Sequence, residues 1–116
     1  MREAVIVSVA PTPIGKAFRG AFNDTEAPAM SGHAVRHAVE RAKIDPAEVE
    51  DVILGCSAQQ GTQGYNIGRL TAATAGLPVT TSGMTIDRMC SSGLMAVATA
   101  AKQIMHDGME IIAAGG

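Results

Sequence analysis

The chain has 116 residues, of which 47% are hydrophobic, 17% charged and 3% aromatic, with a net charge of −2. A chain of this length can bury a core of its own, and the composition excludes a disordered segment. The lack of basic runs and the few aromatic residues argue against nucleic-acid binding. The mean hydropathy of +0.17 is high for a small free domain, so we expect much of the surface to contact further protein.

Cysteine usage and the first apolar run indicate the compartment. Cys56 and Cys90 lie far apart, and no secretory signal precedes them, which argues against a disulfide framework. Residues 4–10 are too few to span a membrane, and they lack the layout of a signal peptide. We therefore expect a cytoplasmic protein with reduced thiols and no membrane segment.

Apolar runs and helical periodicity alternate along the chain. The continuous β-branched run of residues 4–10 predicts a strand buried on both faces, and residues 16–30 predict a loop. The later elements are a helix over 31–44, a helical turn capped by Asp45, a strand over 52–58, a polar loop over 59–68, a helix over 69–78, a strand over 82–87, a helix over 91–107 and a strand over 109–116. This alternation predicts βαβ crossovers and an α/β fold with a mostly parallel sheet.

Several candidates for chemistry have simpler structural explanations. The glycines of residues 61–68 match neither a P-loop nor a dinucleotide fingerprint, and we expect them to form turns. His33 and His37 are four residues apart but lack a third ligand, which favours a solvated helix face over a metal site. Cys56 is expected to pack inside its strand as a small hydrophobe. The methionines are expected to fill core gaps rather than line an acyl channel; they are Met84, Met89, Met95, Met105 and Met109.

Cys90 is the candidate nucleophile that its position singles out. It follows a predicted strand, at the carboxyl edge of the sheet, and it opens a predicted helix. The N–H groups and positive dipole of a helix N-terminus stabilise a thiolate, and they can receive the oxyanion that forms when the thiolate attacks a carbonyl. From position alone, a nucleophile and a packed structural cysteine explain Cys90 equally well. An unpaired charge on Asp87 would disfavour the thiolate.

The helix after Cys90 and the final residues both indicate that more protein surrounds this chain. Residues 94–101 are apolar all round, which predicts a helix buried between layers on both faces. The sequence closes on an apolar strand and two glycines. We therefore interpret residues 1–116 as the N-terminal piece of a longer protein.

Four segments of the chain share one known pattern. The segment TIDRMCSSGLMAV (residues 85–97) fits a nucleophile motif, Asn-Arg-x-Cys-x-Ser-Gly before a small-residue helix, with Asp87 where Asn is usual. The other three are PTPIGKAFRGAFND (11–24), QGYNIGRLTAATAGLP (63–78) and DGMEIIAAGG (107–116). Together they resemble the N-terminal part of the thiolases, the family of acetyl-CoA acetyltransferases and 3-ketoacyl-CoA thiolases.

The resemblance implies a fold and a reaction. The fold is a layered αβαβα architecture, with residues 1–116 as a partial N-terminal domain. Cys90 is then the nucleophile that takes an acyl group from acyl-CoA as a thioester, and its own backbone N–H is a candidate oxyanion donor. The reaction is Claisen condensation of acetyl-CoA or thiolytic cleavage of a 3-ketoacyl-CoA. Coenzyme A enters as substrate or product, and we expect no bound cofactor and no metal.

The resemblance also implies partners outside this chain. The family's catalytic His and second Cys belong to segments C-terminal to residue 116, so we expect the 116-residue piece alone to be inactive. The full-length enzyme is expected to be a homodimer or homotetramer, with the strand predicted over residues 82–87 at a subunit interface.

Two alternatives remain open. A condensing enzyme of the ketoacyl-synthase type also places a cysteine at a helix start, although segments 11–24 and 63–78 favour a thiolase. A non-catalytic thiolase-like lipid-binding protein, or a fragment that acts only by associating with its missing half, would lack the later His and Cys segments. The parent reading frame separates these cases.

Overall fold

Three parallel strands and three α-helices alternate along residues 2–116, which a computed structural model describes. The elements are α1 (Ala27–Ala42), β1 (Asp51–Gly55), α2 (Ile67–Thr74), β2 (Ser82–Ile86), α3 (Ser92–His106) and β3 (Ile112–Gly115). All strands run parallel in the order β2-β1-β3, so β1 is central. The structure confirms the predicted α/β fold and parallel sheet. None of the helices described has the length and hydropathy that a membrane span requires.

The central strand divides the core into two clusters because its side chains alternate between the faces of the sheet. Val52 packs with Val39 of α1 and Ala72 of α2 on one face. Ile53 packs with residues of α3, Ala96 and Ala100, on the other face. Both strand residues are 0% exposed. Helices therefore cover both faces of β1 and hold it rigidly.

The loop before α2 ties this helix to strand β2 through polar contacts. Asn66 caps the helix, since its Oδ1 accepts from the Arg69 N–H at 3.2 Å. The same oxygen accepts from Thr85 Oγ1 at 2.8 Å, and Nδ2 donates to the Gly83 carbonyl at 2.8 Å. Gly68 lets the backbones approach, because a Cβ there would overlap the Met84 carbonyl. Asn66 and Gly68, both within the 63–78 segment, thus join α2 to the sheet.

The prediction of a strand over residues 4–10 is wrong, because the structure has no strand there. No strand of residues 2–116 pairs with this segment, and its large side chains are exposed: Val5, Ile6, Val7 and Val9. Arg2 forms a salt bridge to Glu110 at 2.6 Å, and Arg41 donates to the Val9 carbonyl at 2.8 Å. The β-branched residues of this segment have a high β propensity, but a strand also needs a neighbouring strand with which its backbone can form hydrogen bonds.

The first helix begins four residues earlier than predicted. The loop predicted over residues 16–30 therefore ends before residue 27, since Pro28 is tolerated in the first turn of a helix, where its missing N–H has no partner to lose. Ser31 Oγ donates to the Ala27 carbonyl at 2.8 Å within this turn. At the other end, Lys43 adopts a left-handed φ of 56° and closes the helix.

Most other elements lie close to where they were predicted, although α2 begins at Ile67, inside the predicted polar loop, and ends at Thr74. The turn after Asp45 is a 3₁₀ turn over Pro46–Glu48 with a capping box, as the sequence indicates. A second 3₁₀ turn, Gly61–Gln63, lies within the predicted polar loop. Cys56 follows β1 rather than lying inside a strand, but it is buried as expected, with 8% of its surface exposed. Residues 109–111 precede β3 rather than forming part of it.

Among the residues described, helix α3 packs against one sheet only, and the prediction that layers cover both of its faces stays a prediction about the full-length protein. Its buried residues are Ser92, Ala96 and Ala100, which face the sheet. Leu94 is 75% exposed. The three-stranded sheet described covers only one face of this helix.

We predict that Asn66→Ala loosens α2. The variant loses a helix cap and two further hydrogen bonds, so the free energy of local opening should fall by about 2 kcal/mol. Native-state hydrogen exchange of the full-length protein should then show α2 amides exchanging roughly 30-fold faster.

The matched control is Gln60→Ala, which removes an exposed amide side chain from the same loop. Its α2 amides should exchange within about twofold of the wild-type rate. Equal exchange rates in the two variants would contradict the role assigned to Asn66.

Candidate active site

Cys90 lies in the short connection between β2 and α3, at the carboxyl edge of the parallel sheet. Strand β2 ends at Ile86, and α3 begins at Ser92, two residues after the cysteine. The thiol is free and exposed, whereas the other cysteine, Cys56, is free and buried. The structure thus places Cys90 after a strand and before a helix, as the sequence predicts.

The turn that carries Cys90 is closed by side-chain hydrogen bonds on either side of it. Asp87 Oδ1 accepts from the Met89 N–H at 2.9 Å. Ser92 Oγ accepts from the Arg88 N–H at 2.8 Å and donates to the Met89 carbonyl at 2.6 Å. Met89 adopts a φ of 49°, a left-handed conformation that is uncommon outside glycine. Asn at position 87 would offer the same Oδ1 acceptor, so the departure from the usual Asn preserves this bond.

The start of α3 rests directly on the end of β1. A Cβ at Gly55 would overlap the carbonyl group of Ser92 and would lie 2.5 Å from the Gly93 nitrogen. Such a separation is far below van der Waals contact, so only glycine at position 55 permits this approach. The contact determines how far the first turn of α3 lies from the sheet. Because Cys90 lies two residues before the start of this turn, the contact also determines the position of Cys90.

A cleft of about 520 Å³ opens beside Cys90 at the carboxyl ends of β1 and β3. Small residues form much of its wall, together with three larger apolar side chains. The lining residues are Gly55, Ser57, Met89, Cys90, Ser92, Gly93, Leu94, Val97, Gly115 and Gly116. Met89 is 73% exposed, so it borders the cleft and does not fill the core as predicted. The cleft is where α/β folds bind their ligands.

The first backbone N–H groups of α3 have no carbonyl acceptor within the helix. Gly93 and Leu94 line the cleft, and their N–H groups donate none of the backbone hydrogen bonds found among residues 2–116. The N–H of Cys90 itself donates none of the bonds that close its turn. These groups, at the positive end of the helix dipole, are the kind that bind a carboxylate, phosphate or oxyanion.

The histidines of this chain lie away from the cysteine cleft. Among the described lining residues, Cys90 is the only ionisable side chain. His33 and His37 lie on α1 with ring centroids 4.4 Å apart, and His37 Nδ1 is 3.7 Å from Glu40 Oε2. They border a separate hollow of about 90 Å³. The cleft therefore presents a free thiol and backbone N–H donors, and no other ionisable side chain among residues 2–116 lines it.

Two residues that shape the site were not identified from the sequence. Gly55 carries no motif, and its role depends on a contact with α3 from 37 positions later in the chain, which no local pattern reveals. Ser92 matches the Ser of the nucleophile motif, but the motif does not show that its hydroxyl bonds across the turn. That match was the one available signal.

Comparison with known proteins identifies what the chain is similar to. The sequence profile described as "Thiolase, N-terminal domain" matches residues 4–116. The chain is 43% identical to a 3-ketoacyl-CoA thiolase of Psychrobacter cryohalolentis and 40% identical to a 3-ketoacyl-CoA thiolase of Bacillus subtilis. These alignments cover 99% and 100% of the chain and 30% of each relative. The chain thus spans under a third of the length of these relatives.

A solved structure gives the same result for the fold. The crystal structure of the Bacillus anthracis acetyl-CoA acetyltransferase matches with a TM-score of 0.92 and 39% sequence identity. The match covers 100% of this chain and 29% of that one.

We predict that the two thiols differ sharply in reactivity towards a small alkylating reagent. Cys90 is exposed and Cys56 is 8% exposed, so iodoacetamide should modify Cys90 at least roughly tenfold faster in the native full-length protein. Peptide mass spectrometry over a time course measures both rates. Equal rates would contradict the placement of the two cysteines.

Proposed function

Because the chain belongs to the thiolase family, we propose that Cys90 is the acyl-accepting nucleophile of an acyl-CoA C-acyltransferase in the full-length protein. The single observation that carries this proposal is the position of the exposed thiol. It lies on a cleft of about 520 Å³, beside the first N–H groups of α3. A packed structural cysteine would be enclosed by side chains, as Cys56 is.

The first half-reaction is a thioester exchange. The Cys90 thiolate attacks the carbonyl carbon of acyl-CoA, and the electron pair of that carbonyl moves to its oxygen. The carbon–sulfur bond to coenzyme A then breaks, leaving acyl-Cys90 and the coenzyme A thiolate, which takes up the proton that the cysteine lost. One thioester replaces another, so the intermediate is not a deep energetic trap. We propose that the Cys90 N–H, which donates none of the bonds that close its turn, binds the oxyanion that forms in this step.

The second half-reaction runs in either of two directions. In synthesis, acetyl-CoA loses an α-proton, the resulting carbanion attacks the acyl-Cys90 carbonyl, and the cysteine thiolate leaves. In degradation, Cys90 attacks the 3-keto carbon of a 3-ketoacyl-CoA, the bond between C2 and C3 breaks, and the acetyl-CoA carbanion takes up a proton. Coenzyme A then removes the acyl group from Cys90 by the same thioester exchange.

Both directions need a group that moves the α-proton and a group that activates the thiol. No ionisable side chain other than Cys90 lines the cleft among residues 2–116. We propose that these groups, the binding site for coenzyme A and the determinants of acyl-chain length belong to the remainder of the protein. The 116-residue chain should not turn over by itself.

We also propose a reducing, cytoplasmic setting and a homodimeric or homotetrameric assembly. Both thiols are free, and a nucleophilic exposed cysteine needs a reducing compartment to remain so. Strand β2 lies at an edge of the described sheet, where an open ladder favours pairing with a second subunit. Light scattering from the full-length protein measures the assembly.

The test of Cys90 is an acyl adduct. We expect the full-length protein, mixed with acetyl-CoA or acetoacetyl-CoA and quenched in acid, to carry an acyl group on the peptide that contains Cys90. Cys90→Ser should remove the adduct and lower the turnover rate on the order of 10³-fold or more.

Cys56→Ala is the matched control, because it removes the other thiol and should leave the Cys90 adduct in place. An unmodified Cys90 in an active enzyme, or full activity in Cys90→Ser, would contradict the proposal. An adduct that forms without turnover would favour a defective or non-catalytic relative.

A further inference from the structure

Ser92 is the buried polar side chain closest in sequence to Cys90, and 5% of its surface is exposed. Its hydroxyl is used twice: Oγ accepts from the Arg88 N–H at 2.8 Å and donates to the Met89 carbonyl at 2.6 Å. Both bonds end on the two residues before the cysteine. The hydroxyl therefore joins the first residue of α3 to the chain on the other side of Cys90.

The conformation of this chain needs such a constraint. Met89 has a left-handed φ of 49°, which a side chain with a Cβ seldom adopts unless neighbouring groups hold it. Two side chains hold its peptide groups: Asp87 accepts the Met89 N–H, and Ser92 donates to the Met89 carbonyl. Cys90 is the next residue, so the direction of its N–H and of its side chain depends on this peptide.

Ser92 is itself fixed to the sheet. Its carbonyl group packs against Gly55 at the end of β1, where a Cβ would overlap it. Ser92 therefore contacts the central strand through its carbonyl group and the turn that carries the thiol through its hydroxyl, so the position of the turn depends on that of the strand. The neighbouring Ser91 offers a contrast, because its side chain is exposed and makes no capping hydrogen bond.

We propose that Ser92 is a positioning residue, whose hydroxyl holds the Arg88–Met89 backbone so that Cys90 presents its sulfur and N–H to the cleft. This inference rests on the proposed role of Cys90 as the nucleophile. Ser92 does not exchange a proton with the substrate. It acts through the geometry of attack, in which a misplacement of about 1 Å can slow a reaction about 100-fold.

The experiment measures acylation of Cys90 in a single turnover of the full-length protein. Rapid quenching and mass spectrometry give the rate constant for adduct formation across a range of acetoacetyl-CoA concentrations. We expect Ser92→Ala to lower the maximal rate constant about 10- to 100-fold and to change the half-saturating concentration less than about threefold. Ser92→Thr, which keeps the hydroxyl, should recover most of the rate.

Two controls keep this result specific. Ser91→Ala removes the adjacent hydroxyl, which bonds to nothing in the turn, and it should acylate within about twofold of wild type. Ser92→Gly deletes the same hydroxyl as Ser92→Ala and leaves the backbone contact between residue 92 and Gly55 in place. A Ser92 variant that unfolds cooperatively on heating is folded, and the acylation rate is measured on whichever of the two variants does so.

The possible outcomes distinguish a failure of the role proposed for Ser92 from a failure of the role proposed for Cys90. Wild-type protein that forms no adduct on Cys90 overturns the proposed function and this inference with it. A normal wild-type adduct together with unchanged acylation in Ser92→Ala and Ser92→Gly overturns the role of Ser92 alone. A higher half-saturating concentration with an unchanged maximal rate constant also overturns it, because that pattern reports weaker substrate binding and not misplaced sulfur.

Discussion

The close approach between the end of β1 and the first turn of α3 determines where Cys90 lies. Gly55 permits it, because any side chain at this position would overlap the carbonyl group of Ser92. Through that contact the central strand sets the position of the helix start. The Ser92 hydroxyl and Asp87 then set the conformation of the turn, and Cys90 comes to lie on the cleft.

Packing on both faces of the sheet fixes the position of the central strand, β1. Val52 and Ile53 are fully buried on opposite faces of β1, so a shift of the strand would disturb both core clusters. Asn66 ties α2 to β2, the strand that leads into the cysteine turn. A sheet held in this way presents a thiol and backbone N–H groups in a fixed arrangement, which is what the proposed stabilisation of an oxyanion requires.

The sequence predicted what depends on local pattern and missed what depends on distant contacts. The helix starting near Cys90 follows from its long apolar run, and the turn after Asp45 follows from its capping residue. Residues 4–10 did not form the predicted strand, because propensity cannot supply a neighbouring strand. Cys90 was equally well explained as a structural residue until a family motif was added. The contact of Gly55 joins positions 37 residues apart, and only the folded chain shows it.

The crystal structure of the full-length Gly55→Ala variant is the most direct test of this arrangement. We predict that the added methyl group pushes the first turn of α3 away from β1 by about 1 Å or more, as van der Waals separations require. Cys90 should move with the turn, and its rate of acylation should fall. A Cys90 in its wild-type position, with the methyl group accommodated against Ser92 and the acylation rate unchanged, would contradict the central role of the contact.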